Sequence, residues 1–354
     1  MSLSNNNKEV VFVSGASGYI AQHIVHQLLE TGKYKVIGSV RTQKKADLFK
    51  ERFKDNKDLS FVIVPDISLL GSFDDCFNKI GHQIDYILHT ASPFFFESKD
   101  VEKDLLIPAV NGTKSILEAT VKYAPQVKKF VVTSSYAAVA TFAMDSDSKN
   151  IITEKDWNPI TWEEALSNGV DAYYASKKFA EKQCWDFLKE HSEEAKFKLT
   201  AICPVFVFGE QLFDEDIVPG HKLNTSCEFI NALVHSTEKS PVDLTMFGGY
   251  ISVQDVARGH LECLTNDNLD GKRLILSEAR FTFQTIIDII RKDFPELTNV
   301  SKGVPGSDKK RLADVATLDN HVSKELLGFK FKELGEIVDE TVNQILRVER
   351  KEQN

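Results

Sequence analysis

Val10-Val11-Phe12-Val13-Ser14-Gly15-Ala16-Ser17-Gly18-Tyr19-Ile20-Ala21 is the stretch that decides the fold of this 354-residue chain. A short, β-rich apolar run stops at a glycine turn, and a helical period follows at Ile20, Ile24, Leu28 and Leu29 until Gly32. Strand, glycine turn and helix, in that order, are the setting a phosphate-binding loop requires. Glycine lets the backbone approach a pyrophosphate, and the helix N-terminus offers that anion unpaired N–H groups and a positive dipole end. The spacing is G-x-x-G-x-x-A, with a small residue where helix and strand must pack. A G-x-x-G alone is a common turn; between this strand and this helix it reads as a nucleotide site.

The next strand, residues 35–40, closes a first βαβ unit and runs into Arg41. An NAD site would place Asp or Glu about 20 residues past the glycines, to hold the ribose 2′-hydroxyl. Arg41 stands there instead, with Lys45 one helical turn later. Two cations suit a 2′-phosphate, so NADPH is the expected cofactor. The plainer alternative is a solvated helix start, but cations there oppose the helix dipole.

Further strands at residues 61–64, 86–89, 130–133 and 199–203 alternate with helical stretches, the signature of an α/β protein with a doubly wound parallel (Rossmann) sheet. Ligands bind outside the carboxyl ends of such strands. Here those ends carry Asp66 and Ile67, His89 through Pro93, Thr133 through Ser135, and Pro204 through Gly209. Asp66 is able to accept from an adenine amino group and Ser135 to hydrogen-bond a carbonyl oxygen; His89 reads as a structural strand-end residue.

After residue 210 the alternation weakens. A helix is expected over 221–234, a turn at Phe247-Gly248-Gly249-Tyr250, and a strand over 251–253. A helix over 256–264 should start at Asp255, followed by a strand at 274–276, a helix at 283–294 and a loop at 296–311. A last helix over 334–348 should end in a frayed charged tail. The implied division is a dinucleotide-binding domain, 1–210, and a smaller C-terminal substrate-binding lobe, 211–354, with segments such as 247–265 returning to the first.

Ala172-Tyr173-Tyr174-Ala175-Ser176-Lys177 heads a helical run continued by Phe179, Ala180, Cys184, Trp185 and Leu188. Residues four apart share a helix face, so a phenol and an ammonium can enter one cleft. A phenol titrates at about 10, and a nearby cation favours its anion, making it a usable acid or base. Tyr173 with Lys177 and Tyr174 with Lys178 have the same spacing, about 100° apart around the helix. Spacing alone leaves the choice open, and a half-buried ring beside a solvated lysine is the common fate of such a pair.

A net charge of −9 argues against nucleic acid and anionic membrane as partners. The five cysteines are odd in number and widely spaced, which implies free thiols in a reducing compartment. The polar start and the lack of any apolar run of about 18 residues imply no secretion signal or membrane span, so a cytoplasmic protein is expected. No His/Cys cluster is spaced for a metal.

The glycine loop, Ser135 and the Tyr173/Lys177 pair stand in the order and spacing of the extended short-chain dehydrogenase/reductases, which the chain resembles over nearly its whole length. Within them it resembles the dihydroflavonol-reductase-like subgroup, and particularly the yeast NADPH-dependent methylglyoxal/isovaleraldehyde reductases. The resemblance rests on the run from Val13 to Ile24, His89-Thr90-Ala91-Ser92-Pro93-Phe94, Pro108-Ala109-Val110-Asn111-Gly112-Thr113, Thr133-Ser134-Ser135-Tyr136-Ala137-Ala138-Val139, and Phe247-Gly248-Gly249-Tyr250-Ile251.

The resemblance implies Ser135, Tyr173 and Lys177 as catalytic residues, which resolves the register. It implies cofactor contacts at Gly15, Ala16, Ser17, Gly18, Tyr19, Ile20, Arg41, Lys45, Asp66, Ile67, Tyr173, Lys177, Phe206, Val207, Phe208, Gly209 and Ser226. Phe94, Tyr136 and Val170 are implied as an apolar substrate pocket, roomier for lacking the aromatic residue that some relatives have near Ala140. The implied protein is a monomer or homodimer that reduces small-molecule carbonyls with NADPH. Two alternatives stand beside it: a nucleotide-sugar epimerase or dehydratase of the same fold, and a non-catalytic NADPH-binding redox sensor.

Overall fold

Uninterrupted apolar runs, rather than alternating ones, mark strands covered on both faces. In the computed structural model, which describes residues 8–92 and 100–352, Val11, Phe12 and Val13 are all fully buried. The strands are β1 (Glu9–Ser14), β2 (Tyr34–Val40), β3 (Leu59–Ile63), β4 (Tyr86–His89), β5 (Lys129–Thr133), β6 (Ile151–Ile152), β7 (Lys198–Pro204), β8 (Phe206–Phe208), β9 (Phe247–Ser252), β10 (Arg273–Leu276), β11 (Ala279–Thr282) and β12 (Thr317–Leu318). Seven form one sheet in the order β10-β7-β5-β4-β1-β2-β3. The pairs β1–β2, β1–β4, β2–β3, β4–β5 and β5–β7 are parallel. The order reverses between β1 and β4, and it is at such a switch point that a doubly wound sheet opens a crevice. The expected α/β architecture is therefore present.

By its internal contacts the chain forms two units. The first comprises Met1–Val139, Trp157–Cys203 and Ala257–Leu274; the second comprises Ala140–Asp156, Pro204–Val256 and Ile275–Asn354. The sequence reading instead divided the chain at residue 210 and returned 247–265 to the first part. In the first unit Phe12 lies edge-on to Phe77 with ring centroids 4.9 Å apart, in a core with Phe73, Ile87, Ile116 and Phe130. The second unit has a three-stranded sheet, β11-β9-β8, a two-stranded β12-β6 pair, and a core built on Phe208, Phe281, Ile287, Ile337 and Val342.

Four local expectations are corrected. Phe247-Gly248-Gly249-Tyr250 is not a turn but the first part of β9, paired antiparallel with β11 and parallel with β8. Its glycines serve close approach: a Cβ on Gly248 would lie 2.6 Å from the Phe206 ring, and one on Gly249 would lie 2.8 Å from Ser277 Oγ. The helix expected over 221–234 begins only at Thr225, because the Glu228 carboxylate accepts from the Leu223 N–H at 2.8 Å and turns the chain aside. The loop expected over 296–311 contains the start of a helix, Ser307–Ala313. Its Arg311 donates to the Thr245 carbonyl and lies over the Phe247 ring, a tertiary tie that composition does not reveal. The C-terminal helix runs Leu334–Glu352, past the expected end at Val348. Asp214 accepts from both Arg347 (2.8 Å) and Lys351 (3.0 Å), and Glu349 pairs with His235 at 2.6 Å.

The half-buried Phe206 ring lies against Phe229 and Phe281, at centroid distances of 5.5 and 5.6 Å, and a Cβ on Gly248 would also stand 3.3 Å from the fully buried Phe281 ring. Gly248→Ala should therefore overpack this cluster and cost about 1–3 kcal/mol of stability, the usual penalty of an added methyl in a filled core. Urea unfolding of the variant checks this; an unchanged midpoint would mean that the ring yields.

Candidate functional site

The turn after β1 is fixed by a small set of polar contacts. Gly15 takes φ +65°, where a side chain would be strained, and a Cβ on it would sit 3.0 Å from Ala91 Cβ. Its N–H donates to Ser39 Oγ at 3.0 Å, and the Ala16 N–H to the Ser39 carbonyl at 2.9 Å. Ser14 Oγ accepts the N–H groups of Thr90 and Ala91, both at 3.0 Å. With both lone pairs so engaged, its own proton goes to His89 Nδ1, 2.8 Å away. Burial, helped by the charge of Lys177, lowers the His89 pKa to about 3, so the imidazole stays neutral. The structural reading of His89 agrees with this placement.

Beside this turn the carboxyl ends of the first four strands enclose a cavity of about 280 Å³. Gly15, Ser17 and Gly18 form one wall, and Thr90, Ala91 and Ser92 face them from the end of β4. Arg41 and Lys45, both exposed, and Ile67 complete the lining. The helix Tyr19–Glu30 starts from Gly18, which supplies no side-chain cap, and has no acidic residue in its first turn. Helix N–H groups, a cradle that a Cβ would fill and two cations at the rim suit a dinucleotide bearing a 2′-phosphate. Asp66 is drawn aside: its Oδ1 accepts from Ser68 N (2.8 Å) and Oγ (2.6 Å), and these bonds, with Arg41 adding to them, lower its pKa.

Ser135, Tyr173 and Lys177 lie in the same unit. Ser135 follows β5 in extended conformation, its hydroxyl accepting from the Ala137 N–H at 3.1 Å. The helix Gly169–Glu190, capped by Asn168, brings the Tyr173 phenol near enough for the Ser135 hydroxyl to favour its ionised form. Lys177 Nζ lies 5.8 Å from the centroid of the Tyr173 ring. Desolvation dominates both groups. It raises the Tyr173 phenol above its ordinary value, against the lowering effect of Ser135, and depresses the Lys177 ammonium to about 8. The other tyrosine is committed elsewhere. Tyr174 packs against an apolar cluster of Leu106, Ile160 and Ala165, and Lys178 Nζ donates to the Ile160 carbonyl at 2.6 Å.

The remaining sequence candidates are distributed. Tyr136 sits in a short helical turn directly after Ser135, and Val170, in the first turn of the Gly169–Glu190 helix, is exposed. Phe94 lies outside the described residues. Phe206, Val207, Phe208, Gly209 and Ser226 belong to the second unit, where the side chains of Val207 and Phe208 are buried. Ala140 is fully buried. Sequence reading missed Ser39, whose only signal is a small polar residue near the end of a strand. It also missed Glu181, an acid on a helix face otherwise bound for the core. Among the described residues no group of His, Cys, Asp or Glu is arranged to hold a metal, and no helix is long and apolar enough to cross a membrane.

The sequence pattern of the 3-beta hydroxysteroid dehydrogenase/isomerase family matches residues 12–241. The chain is 52% identical to an NADPH-dependent methylglyoxal reductase of Saccharomyces cerevisiae, over 96% of its own length and 98% of that protein. It is 32% identical to a dihydroflavonol 4-reductase of Arabidopsis thaliana, over 92% of its own length and 79% of that protein. Among solved structures, that of yeast methylglyoxal/isovaleraldehyde reductase complexed with NADPH superposes with a TM-score of 0.92 at 51% identity, covering 96% of this chain and 99% of the other.

A lysine whose pKa falls from 10.5 to about 8 on folding destabilises the native state in full below pH 8, and the penalty fades as pH rises from about 8 to 10.5. Lys177→Met should therefore raise the melting temperature of the ligand-free protein at pH 7, with a gain that shrinks across that window. Differential scanning calorimetry at both ends of the window checks the sign; a variant less stable than the parent at pH 7 would contradict it.

Proposed function

This chain belongs to the 3-beta hydroxysteroid dehydrogenase/isomerase family, and from that premise we propose that it is an NADPH-dependent carbonyl reductase of small apolar aldehydes and ketones, of the methylglyoxal and isovaleraldehyde type. The observation that carries the reading is the approach of Lys177 Nζ to 5.8 Å from the Tyr173 ring centroid, with Ser135 acting on the same phenol, in the unit that holds the glycine turn.

Bound NADPH supplies the hydride that reaches the carbonyl carbon. Tyr173 donates its phenolic proton to the carbonyl oxygen, a role suited to a group that burial keeps protonated at neutral pH. Ser135 hydrogen-bonds the same oxygen, orienting it and stabilising the charge that grows on it. Lys177, as the ammonium, stabilises the phenolate left behind. Gly15 through Ile20 receive the pyrophosphate, Arg41 and Lys45 the 2′-phosphate, and Ile67 the adenosine side of the cavity. Phe94, Tyr136 and Val170 supply uncharged surface to the substrate, which favours neutral carbonyls over keto acids and sugar phosphates. The five cysteines, all buried and none in a disulfide, are in keeping with a reducing compartment such as the cytoplasm.

Arg41 and Lys45 at the cavity rim count against a nucleotide-sugar epimerase with tightly held NAD. The grouping of Ser135, Tyr173 and Lys177 counts against a purely sensing role. Turnover of NADPH with a panel containing isovaleraldehyde, methylglyoxal, pyruvate and a nucleotide sugar decides between these readings. The first two should be the better substrates, and preference for either of the others overturns the proposal.

Two variant series sharpen it. Tyr173→Phe should lower kcat/KM by about 10²–10⁴, the usual worth of general acid catalysis, while Tyr174→Phe stays within a few-fold. A reversed order would place the acid on the wrong tyrosine. Arg41→Ala should raise the NADPH KM by about tenfold to a hundredfold, as expected for losing a charged hydrogen bond, and leave that for NADH nearly unchanged. Lys45→Ala should act in the same direction but less strongly. Equal losses with both cofactors would show that these residues support the fold instead.

A further inference from the structure

Two turns beyond Tyr173 and one beyond Lys177, the same helix carries Glu181, whose side chain is 0% exposed. Its Oε1 accepts from Arg273 Nε at 2.5 Å and Trp185 Nε1 at 3.1 Å. Its Oε2 accepts from Ser134 Oγ at 2.6 Å, Arg273 Nη2 at 3.3 Å and Cys203 Sγ at 3.5 Å. The Arg273 guanidinium lies over the Trp157 ring, 3.8 Å from its centroid. Every one of these groups belongs to the first unit.

A buried ion pair is a poor device for stability, since apolar residues of the same volume often do as well or better. What this one adds is registry. Ser134 is held from one side by its N–H, which donates to the Ile202 carbonyl of β7 at 2.7 Å, and from the other by Glu181. The next residue is Ser135, whose hydroxyl meets Tyr173. The end of β5 is therefore joined to the helix at Ser134–Glu181, two turns along from Tyr173. Arg273, at the start of β10, clamps the carboxylate between these elements.

We propose that Glu181 is a positioning residue for carbonyl reduction, holding Ser134 so that the Ser135 hydroxyl stays in reach of Tyr173. The inference rests on the reading of Tyr173 as the proton donor. Nothing in it requires Glu181 to touch the substrate; it acts through Ser134 and Ser135 alone.

Glu181→Gln would leave Arg273 buried beside a neutral partner and risks misfolding, so Ser134→Ala is the cleaner variant: it cuts the link and keeps the ion pair. Steady-state reduction of isovaleraldehyde by NADPH should show kcat lowered by about tenfold or more, as misplacement of a reacting group does, with the NADPH KM within about twofold. In the reverse direction, alcohol oxidation requires the phenolate, and the Ser135 bond is what opposes the raised Tyr173 pKa. Loosening it should move the ascending limb of that pH profile to higher pH. Ser135→Ala and the Ser134→Ala/Ser135→Ala double variant complete the cycle. If Ser134 acts through Ser135, its removal costs nothing further once Ser135 is gone. A wild-type kcat in Ser134→Ala, an unmoved pH profile, or the same cost in both backgrounds overturns the inference. Tyr173→Phe measured alongside separates the two failures. If it is inactive while Ser134→Ala behaves additively, the positioning role falls and the proton donor stands; if it turns over normally, both fall.

Discussion

A parallel strand that ends at the edge of a sheet leaves its last backbone groups to be paired by something other than the ladder, and buried groups left unpaired are costly. In this protein small polar side chains meet that constraint. Ser14 closes the gap between β1 and β4 with one hydroxyl that accepts two N–H groups and donates to a neutral imidazole. Ser39 holds the glycine turn from β2, and Ser134 ties the end of β5 to the buried Glu181 carboxylate. The positions of Gly15, Ser135 and Tyr173 are consequences of those ties.

The same region works against stability. Burial disfavours the ionised forms of Tyr173 and Lys177, and because only the lysine is charged at neutral pH, only it costs stability there. Sites that must tune proton affinity are where a fold carries such groups. The apolar cores on Phe12 and Phe77 in one unit, and on Phe208 and Phe281 in the other, supply the offsetting burial.

Much of this was legible in the sequence because it depends on local pattern. Continuous apolar runs at β1, β4 and β5 give a parallel sheet, and the glycines beside them give the turn. The order Gly15, Ser135, Tyr173, Lys177 carried the family resemblance that the comparisons bear out. The parts that stayed hidden depend on partners far along the chain. Gly248 and Gly249 look like turn residues until the Phe206 ring and Ser277 are placed against them. Ser307–Ala313 looks like loop until Arg311 finds Thr245 and Phe247. Glu181 reads as one more helical acid until Arg273, 92 residues away, is brought to it. The choice between Tyr173 and Tyr174 is open on spacing alone; in the structure Lys177 Nζ lies 5.8 Å from the Tyr173 ring centroid, while Tyr174 packs on the cluster of Leu106, Ile160 and Ala165.

The central claim is that a carbonyl carbon receives its hydrogen from NADPH and its oxygen receives a proton from the protein. Turnover of isovaleraldehyde with NADPH deuterated on the transferring face of C4, followed by NMR of the product, tests it most directly. The account requires one deuterium on the carbinol carbon of the alcohol, and none there when ordinary NADPH is used in heavy water. Deuterium retained in the recovered cofactor, or an alcohol labelled on carbon from the solvent, would contradict it.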